Sequence, residues 1–136
     1  MDPIRTVRLR WVHGALNDVT YQLTRFQFSR HAPHAWQPAI NAYRCKTCIR
    51  ICVELAGVDR SEIDLQIEPR RIWIRGDRAT PEPTDDAGRI LQTIAMEIDY
   101  GPFVRAVSLP ADVDAEKASA TQENGFLWIC LPLKKS

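Results

Sequence analysis

The chain has 136 residues, of which 45% are hydrophobic and 26% charged, and its formal net charge is +1. Such a length can bury a core without metal or disulfide staples. A charge near zero excludes a strongly basic nucleic-acid-binding surface and a polybasic membrane anchor. No apolar run approaches the roughly 20 residues that span a bilayer. Because arginines interrupt the first apolar residues, we expect no signal peptide, a cytoplasmic protein and free thiols.

Residues 1–42 are predicted to form an N-terminal arm and connector ahead of the folded domain. Apolar residues recur there in steps of four and three, a spacing typical of one helix face. An amphipathic helix over residues 9–28 is therefore predicted, although residues 21–25 alternate in a way that also suits a strand. The apolar face either packs on the domain or contacts partner subunits and unfolded clients. Its residues are Val12, Leu16, Val19, Leu23 and Phe26.

Residues 43–133 are predicted to form an all-β sandwich domain, because short alternating segments follow one another with turn signals between them. Asn124-Gly125 predicts a type I′ hairpin turn, and Lys46-Thr47 fits the turn between the first two domain strands. A single helical turn is expected at 59–62, and all strands are expected beyond residue 35. The later strands are predicted at 48–55, 63–67, 72–77, 90–95, 103–109, 118–122 and 126–131.

Four segments in this order resemble the α-crystallin domain of small heat-shock proteins, and the resemblance covers residues 36–132. Phe126 stands where the family usually has valine, and Ala56 where proline is common. The segments are Glu54-Leu55-Ala56-Gly57-Val58, Ile72 to Arg78, Tyr100 to Arg105 followed by Leu109-Pro110, and Ala120 followed by Asn124-Gly125-Phe126-Leu127.

The resemblance implies an immunoglobulin-like antiparallel sandwich and an ATP-independent holdase of the stress response, without enzymatic activity or a cofactor. The alternative is a co-chaperone or scaffolding adaptor of similar fold with one dedicated partner. A groove for partner tails or clients is implied, and Arg105 is implied to lie at or near the dimer interface. The groove residues are Ile63, Leu65, Ile67, Ala118 and Ala120.

A homodimer formed by strand exchange is predicted from the loop that begins at residue 78. A short apolar segment follows that polar loop and is too short to be stable alone. Pairing with an exposed edge of another subunit would satisfy its backbone. The interface residues are Ile90, Leu91, Gln92, Thr93 and Ile94.

Catalytic signatures are missing from the sequence of the domain, and no metal is predicted. The three histidines all precede residue 43, and no phosphate-binding loop or nucleophile elbow is present. Cys45 and Cys48 are open to three interpretations: plain thiols, a reversible dithiol switch, or a zinc site with His31 and His34. Cys52 and Cys130 are interpreted as small apolar packing residues.

Residues 134–136 are interpreted as a very short C-terminal tail. Leu131-Pro132-Leu133 has two apolar residues two positions apart, a pattern that resembles the groove-binding tail motif of the family. Because Leu131 still belongs to the last predicted strand, a dimer or a small assembly held by the arm is expected rather than a tail-locked shell.

Overall fold

Two antiparallel sheets enclose the core in the part of the chain that the computed structural model describes, residues 7–12, 15–18, 35–83 and 90–135. In the first two ranges only the backbone is described. The strands are β1 (Val7–Val12), β2 (Ala15–Asp18), β3 (Ile40–Arg44), β4 (Cys48–Glu54), β5 (Ile63–Glu68), β6 (Arg71–Arg78), β7 (Gly101–Ser108), β8 (Ser119–Glu123) and β9 (Phe126–Pro132). One sheet has the order β2-β1-β5-β6-β7 and the other β3-β4-β9-β8. The predicted β-sandwich is confirmed.

The core consists of the inward-facing residues of both sheets. On β4, Ile49, Ile51 and Val53 are at most 2% exposed, while Arg50 and Glu54 between and beyond them are exposed. The same alternation holds on β9, whose odd-numbered residues Leu127, Ile129 and Leu131 are buried. Fully burying one such side chain stabilises the fold by about 1.5–3 kcal/mol. The period of two that predicted these strands is therefore the pattern that builds the core.

The last hairpin turns through two residues in the left-handed region, as predicted. Asn124 has φ 52° and Gly125 has φ 82°, which are the values that a type I′ turn requires at its two central positions. Leu55 N donates to Gly125 O at 2.9 Å. This bond joins the hairpin to the turn that follows β4.

A single turn of 3-10 helix, Arg60–Glu62, connects β4 to β5 where the sequence predicted one. Asp59 caps it, since its side chain accepts a hydrogen bond from Ser61 N at 3.1 Å. The turn leads directly into β5, the strand on which the predicted groove depends. A second short turn, Ala115–Lys117, precedes β8.

The helix predicted over residues 9–28 is wrong where the structure describes the chain. Residues 9–12 and 15–18 are strands instead, and the remainder of that range lies outside the described residues. The reason is tertiary: β1 gains cross-strand hydrogen bonds and packing from the edge of β5, whereas a helix without a packing partner is only marginally stable in water. The expectation that all strands follow residue 35 is wrong for the same reason.

The strand predicted over residues 90–95 is absent from the described chain, which runs there without regular structure. A strand requires a neighbouring edge to bond with, and this segment pairs with none of the described strands. Among the described residues, no helix has the length and apolar character needed to cross a membrane.

Candidate binding surfaces

The predicted groove lies between β5 and β8, and in this structure β5 is paired along both edges. β6 lies on one side and β1 on the other, with Leu9 opposite Leu65 and Val7 opposite Ile67. The side chains of Ile63, Leu65 and Ile67 are at most 1% exposed. The chain's own N-terminal segment therefore occupies the β5 edge to which an extended partner would add.

The other side of the predicted groove belongs to β8, which pairs only with β9 among the described strands. Ala120 is buried, and Ala118 packs half-buried against the core cluster. Gln122 Nε2 donates to Val58 O at 2.8 Å and joins β8 to the turn before β5. Small residues thus line the rim of the sandwich at this end, where an extended segment needs room.

A second surface is the segment from residue 90 to residue 98. Leu91 is 94% exposed and Ile94 is 93% exposed, and Ile90, Met96 and Ile98 are each more than half exposed. Contiguous apolar exposure of this kind is typical of an interaction site in a folded protein. Gln92 and Thr93 lie exposed between the apolar residues.

A third surface is the free edge of β3, which lies at the end of the β3-β4-β9-β8 sheet. β3 pairs with β4 only, as far as the described strands go. Its residues 41–44 are exposed, with Tyr43 at 50%. An edge strand presents unpaired N–H and C=O groups that can bond another chain. β3 thus offers a place where a further strand can add.

Arg105 lies on β7 and is half-buried. Its Nη1 donates to Pro38 O at 3.2 Å, two residues before β3 begins. Within this chain Arg105 therefore braces the connector that delivers β3 to the edge of its sheet. The implied role near a dimer interface is a proposal that depends on what pairs with that edge.

Arg78 has a structural role that the motif containing it did not indicate. It is 7% exposed, and its Nε and Nη2 donate to Asp99 O at 2.8 and 2.6 Å. Nη1 donates to Ala56 O at 3.2 Å, and the guanidinium carbon lies 4.3 Å from the centre of the Trp36 ring. Since Arg78 ends β6 and Asp99 directly follows the exposed segment 90–98, the guanidinium closes the base of the loop.

Trp36 completes this closure from the connector side. Its Nε1 donates to Gly101 O at 3.1 Å, and its ring lies 5.3 Å from that of Phe103 at an angle of 55°. Its backbone also bonds the start of β7, from Trp36 N to Pro102 O at 3.1 Å. These contacts hold the connector and the start of β7 together. The end of the exposed segment that leads into β7 is therefore anchored.

All four cysteines lie along the outer side of the sheet that contains β3 and β4. Cys45 N donates to Cys48 O at 2.8 Å, so these two flank the Lys46-Thr47 turn as cross-strand neighbours, which confirms the predicted hairpin. Cys52 is 9% exposed, and burial raises the pKa of its thiol. No group of three potential metal ligands exists among the described residues. His31 and His34 lie outside them.

Of the predicted arm residues, Val12 lies on β1 and Leu16 on β2. In the register of that hairpin, Val12 is opposite Ala15 and Leu16 is opposite Trp11. Val19, Leu23 and Phe26 lie outside the described residues. The client-binding role of these five residues stays a prediction.

The fold and the surfaces define an antiparallel β-sandwich with an exposed apolar segment and a free strand edge, the class of the α-crystallin domain. The sequence model of the Hsp20/alpha crystallin family matches residues 42–136. The chain belongs to the Hsp20/alpha crystallin family, which is a family of small heat shock chaperones rather than of enzymes.

Several known proteins are similar to this chain. It is 31% identical over 104 residues to spore protein SP21 of Stigmatella aurantiaca and 32% identical over 83 residues to small heat shock protein C2 of Rickettsia felis. These matches cover 76% and 61% of this chain, and 59% and 51% of the two relatives, so the chain spans little more than half of their length. The hspA structure of Xanthomonas axonopodis is similar with a TM-score of 0.61 at 27% identity, covering 73% of this chain and 95% of that one.

Proposed function

We propose that the protein is an ATP-independent holdase that binds partly unfolded proteins through exposed apolar surface and keeps them from aggregating in the cytoplasm. The observation that carries the proposal is the apolar segment 90–98, where Leu91 and Ile94 are more than nine-tenths exposed. Burial of such area against a client is favourable without nucleotide, because association is driven by the hydrophobic effect and by mass action. Four free cysteines among the described residues fit a reducing compartment.

Holdase activity is tested by light scattering of several unrelated clients heated without ATP. With the protein in molar excess, we expect aggregation of each client to be delayed. A delay for one client alone, or for none, would contradict a general holdase and favour the adaptor with one dedicated partner. The variant that tests the segment is a Leu91→Ser, Ile94→Ser chain, which removes apolar area from exposed positions and is expected to suppress aggregation less while it stays folded by circular dichroism.

The same assay applies to a chain that lacks residues 1–35, in which the proposed client-binding arm is removed. Weaker suppression is expected from this truncation. Because β1 pairs with β5, the deletion also opens the β5 edge, and the melting temperature must be followed in parallel. If the truncated chain suppressed aggregation as well as the full chain and stayed folded, the arm would have no role in client binding.

The resting state is a homodimer in which residues 90–95 of each subunit add to the β3 edge of the other, and clients bind the segment when it is released from that edge. Two features support this proposal: the segment is exposed and unpaired in the described chain, and β3 has one free edge. Backbone pairing between an extended segment and a sheet edge is the recurrent β-augmentation mode of recognition. Arg105 supports the edge indirectly, since it holds the connector before β3.

Strand exchange predicts that Leu91→Asp combined with Ile94→Asp dissociates the dimer. Residues 91 and 94 project to opposite faces of an added strand, so at least one carboxylate would lie against the partner without an opposite charge, and the dimer dissociation constant should rise by about 10-fold or more. Sedimentation velocity of the double variant, and of a chain lacking residues 84–95, measures how far the dimer dissociates. Phe126→Asp is the control, because Phe126 is 43% exposed but lies on β9, away from the β3 edge. A dimer that survives the deletion would refute the exchange.

The groove between β5 and β8 is the proposed site for extended apolar segments, with Ile63, Leu65 and Ile67 on one side and Ala118 and Ala120 on the other. In the described chain β1 holds the β5 edge of this site. A client or a partner's tail that uses the same edge must therefore displace β1, so the N-terminal segment competes with every other occupant.

A further inference from the structure

We propose that Cys45 and Cys48 form a thiol–disulfide exchange site, which closes an intramolecular disulfide when it reacts with an anionic low-molecular-weight disulfide. The site lies at the tip of the β3–β4 hairpin, outside the groove and outside the exposed segment 90–98. The geometry of the hairpin, the order of exposure of the four thiols and the local charge each support it.

The backbone places the two cysteines directly opposite each other. The β3–β4 register ends with Arg44 opposite Ile49, and the bond from Cys45 N to Cys48 O at 2.8 Å continues it by one pair. Hydrogen-bonded antiparallel pairs have Cα atoms about 5.5 Å apart, and disulfides span roughly 4.4–6.8 Å. Opposed residues project to the same face of a sheet. The two cysteines are therefore within the Cα–Cα range that a disulfide spans.

The other two cysteines lie at positions that do not bridge. Cys130 is opposite Arg50, while Cys48 is opposite Pro132 and Cys52 is opposite Trp128. Cys130, on β9, is therefore a diagonal neighbour of both cysteines of β4, Cys48 and Cys52. Diagonal pairs are about 7–8 Å apart, beyond the roughly 7 Å at which a bridge requires backbone movement. The Cys45–Cys48 pair is the one that the register selects.

Exposure sets the order in which the thiols react. Cys45 is exposed and Cys48 is half-buried, whereas Cys52 is 9% exposed and burial raises the pKa of its thiol, which lowers its thiolate fraction. The Cys45 thiolate attacks one sulfur of the small disulfide, whose S–S bond breaks and releases one thiol after protonation. The Cys48 thiolate then attacks Cys45 Sγ in the mixed disulfide and releases the second thiol. Two protein thiols are oxidised and one small disulfide is reduced.

The positive charge around the hairpin determines which small disulfide reacts fastest. Arg44, Lys46 and Arg50 are exposed within two residues of the pair. Positive side chains raise the local concentration of an anionic reactant and its rate of encounter. An anionic disulfide such as glutathione disulfide is therefore favoured over a cationic one such as cystamine.

The bond is expected to be reversible. Cβ atoms of directly opposed residues are about 4.5–5.5 Å apart, and a disulfide brings them to roughly 3.5–4.5 Å. Closing the bond therefore distorts the tip of the hairpin, and strained or exposed disulfides are readily reduced. Reduced glutathione should return the protein to the dithiol form.

The experiment treats the reduced full-length protein with glutathione disulfide, blocks the remaining thiols and analyses the tryptic peptides by mass spectrometry. Trypsin cleaves after Lys46, so the closed bond joins the peptide Cys45-Lys46 to the peptide Thr47-Cys48-Ile49-Arg50. We expect this linked pair, with Cys52 and Cys130 recovered as blocked thiols. At low ionic strength the reaction should be at least about fivefold faster than with cystamine, and salt should reduce the ratio.

Single substitutions separate the steps. Cys48→Ser should stop the reaction at a glutathione adduct on Cys45, Cys45→Ser should abolish fast oxidation, and Cys130→Ser should change neither step. All three should keep the far-ultraviolet circular dichroism of the parent. Linkage through Cys130, intermolecular cross-links as the main product, or an adduct on Cys45 that never closes in the parent chain would each overturn the proposed pair. Equal rates with the two small disulfides would overturn the anionic partner.

Discussion

Gly76→Ala is expected to lower the free energy of unfolding by about 3 kcal/mol or more. A Cβ at this position would overlap Glu62 O and would lie 2.7 Å from Phe103 Cζ. The first obstacle is backbone in the 3-10 turn before β5, and the second is a ring that is 1% exposed, so neither can yield cheaply. For a domain of this size the loss corresponds to a fall in Tm of roughly 10–20 °C.

Gly57→Ala is the matched control for this prediction. Gly57 has φ +77° but nothing within 4 Å of an added Cβ. Its replacement should cost about 1 kcal/mol, from the left-handed backbone alone. Thermal unfolding of both variants by calorimetry separates steric overlap from backbone conformation, and equal losses would contradict the close packing of β6 against the turn.

Arg78→Met should lower the free energy of unfolding by about 3 kcal/mol. The substitution removes the donors to Asp99 O and Ala56 O, and it also removes the stacking of the guanidinium on Trp36. Arg78→Lys should retain only a minor part of the free energy that Arg78→Met loses, because an ammonium group cannot bond both carbonyls in the geometry of the guanidinium. Denaturant unfolding measures the loss, and faster amide exchange at residues 99–101 would locate it at the base of the loop.

Arg71→Met provides the comparison within the same strand. Arg71 is exposed, and its guanidinium carbon lies 5.9 Å from the centre of the Trp73 ring. Exposed cation–π contacts contribute about 0.5–1 kcal/mol. If Arg71→Met proved as costly as Arg78→Met, the assigned role of Arg78 at the loop base would be wrong.

Strands β4, β5, β6 and β9 could be predicted from the sequence because each carries buried apolar residues at every second position. Ile49, Ile51 and Val53 show the pattern at its clearest, and the Asn124-Gly125 turn added a second, independent signal. Both signals are local: they depend on which side chains follow one another and on the φ values that a residue tolerates. Local signals suffice where a strand is half-buried.

The N-terminal strands were missed although a local signal existed. Val7, Leu9 and Trp11 alternate with Arg8 and Arg10, which is a period of two. The wider stripe in steps of four and three, over residues 12–26, predicts a helix instead. What decides between the two patterns is the free edge of β5, and nothing in residues 7–18 reveals that edge.

The loop closure at Arg78 could not be predicted from the motif in which it lies. Its partner carbonyls belong to residues 21 and 22 positions away in the chain. A backbone carbonyl carries no side-chain identity, so no sequence pattern marks it as an acceptor. Only the meeting of the connector, β6 and β7 in space reveals why an arginine stands at the end of β6.

The pairing of β4 with β9 slows folding and leaves β4 incompletely paired during synthesis. Cys48 is opposite Pro132, and every pair in that ladder joins an early residue of the sandwich to one near residue 130. Pairings so distant in sequence must close a long loop before any bond rewards them, so folding is expected in milliseconds to seconds rather than microseconds. During synthesis on the ribosome, β3 and β4 emerge long before β9. Until then, the edge of β4 that pairs with β9 has no partner strand. A chain of this design is therefore itself an aggregation-prone client during its own synthesis, until its last strand arrives.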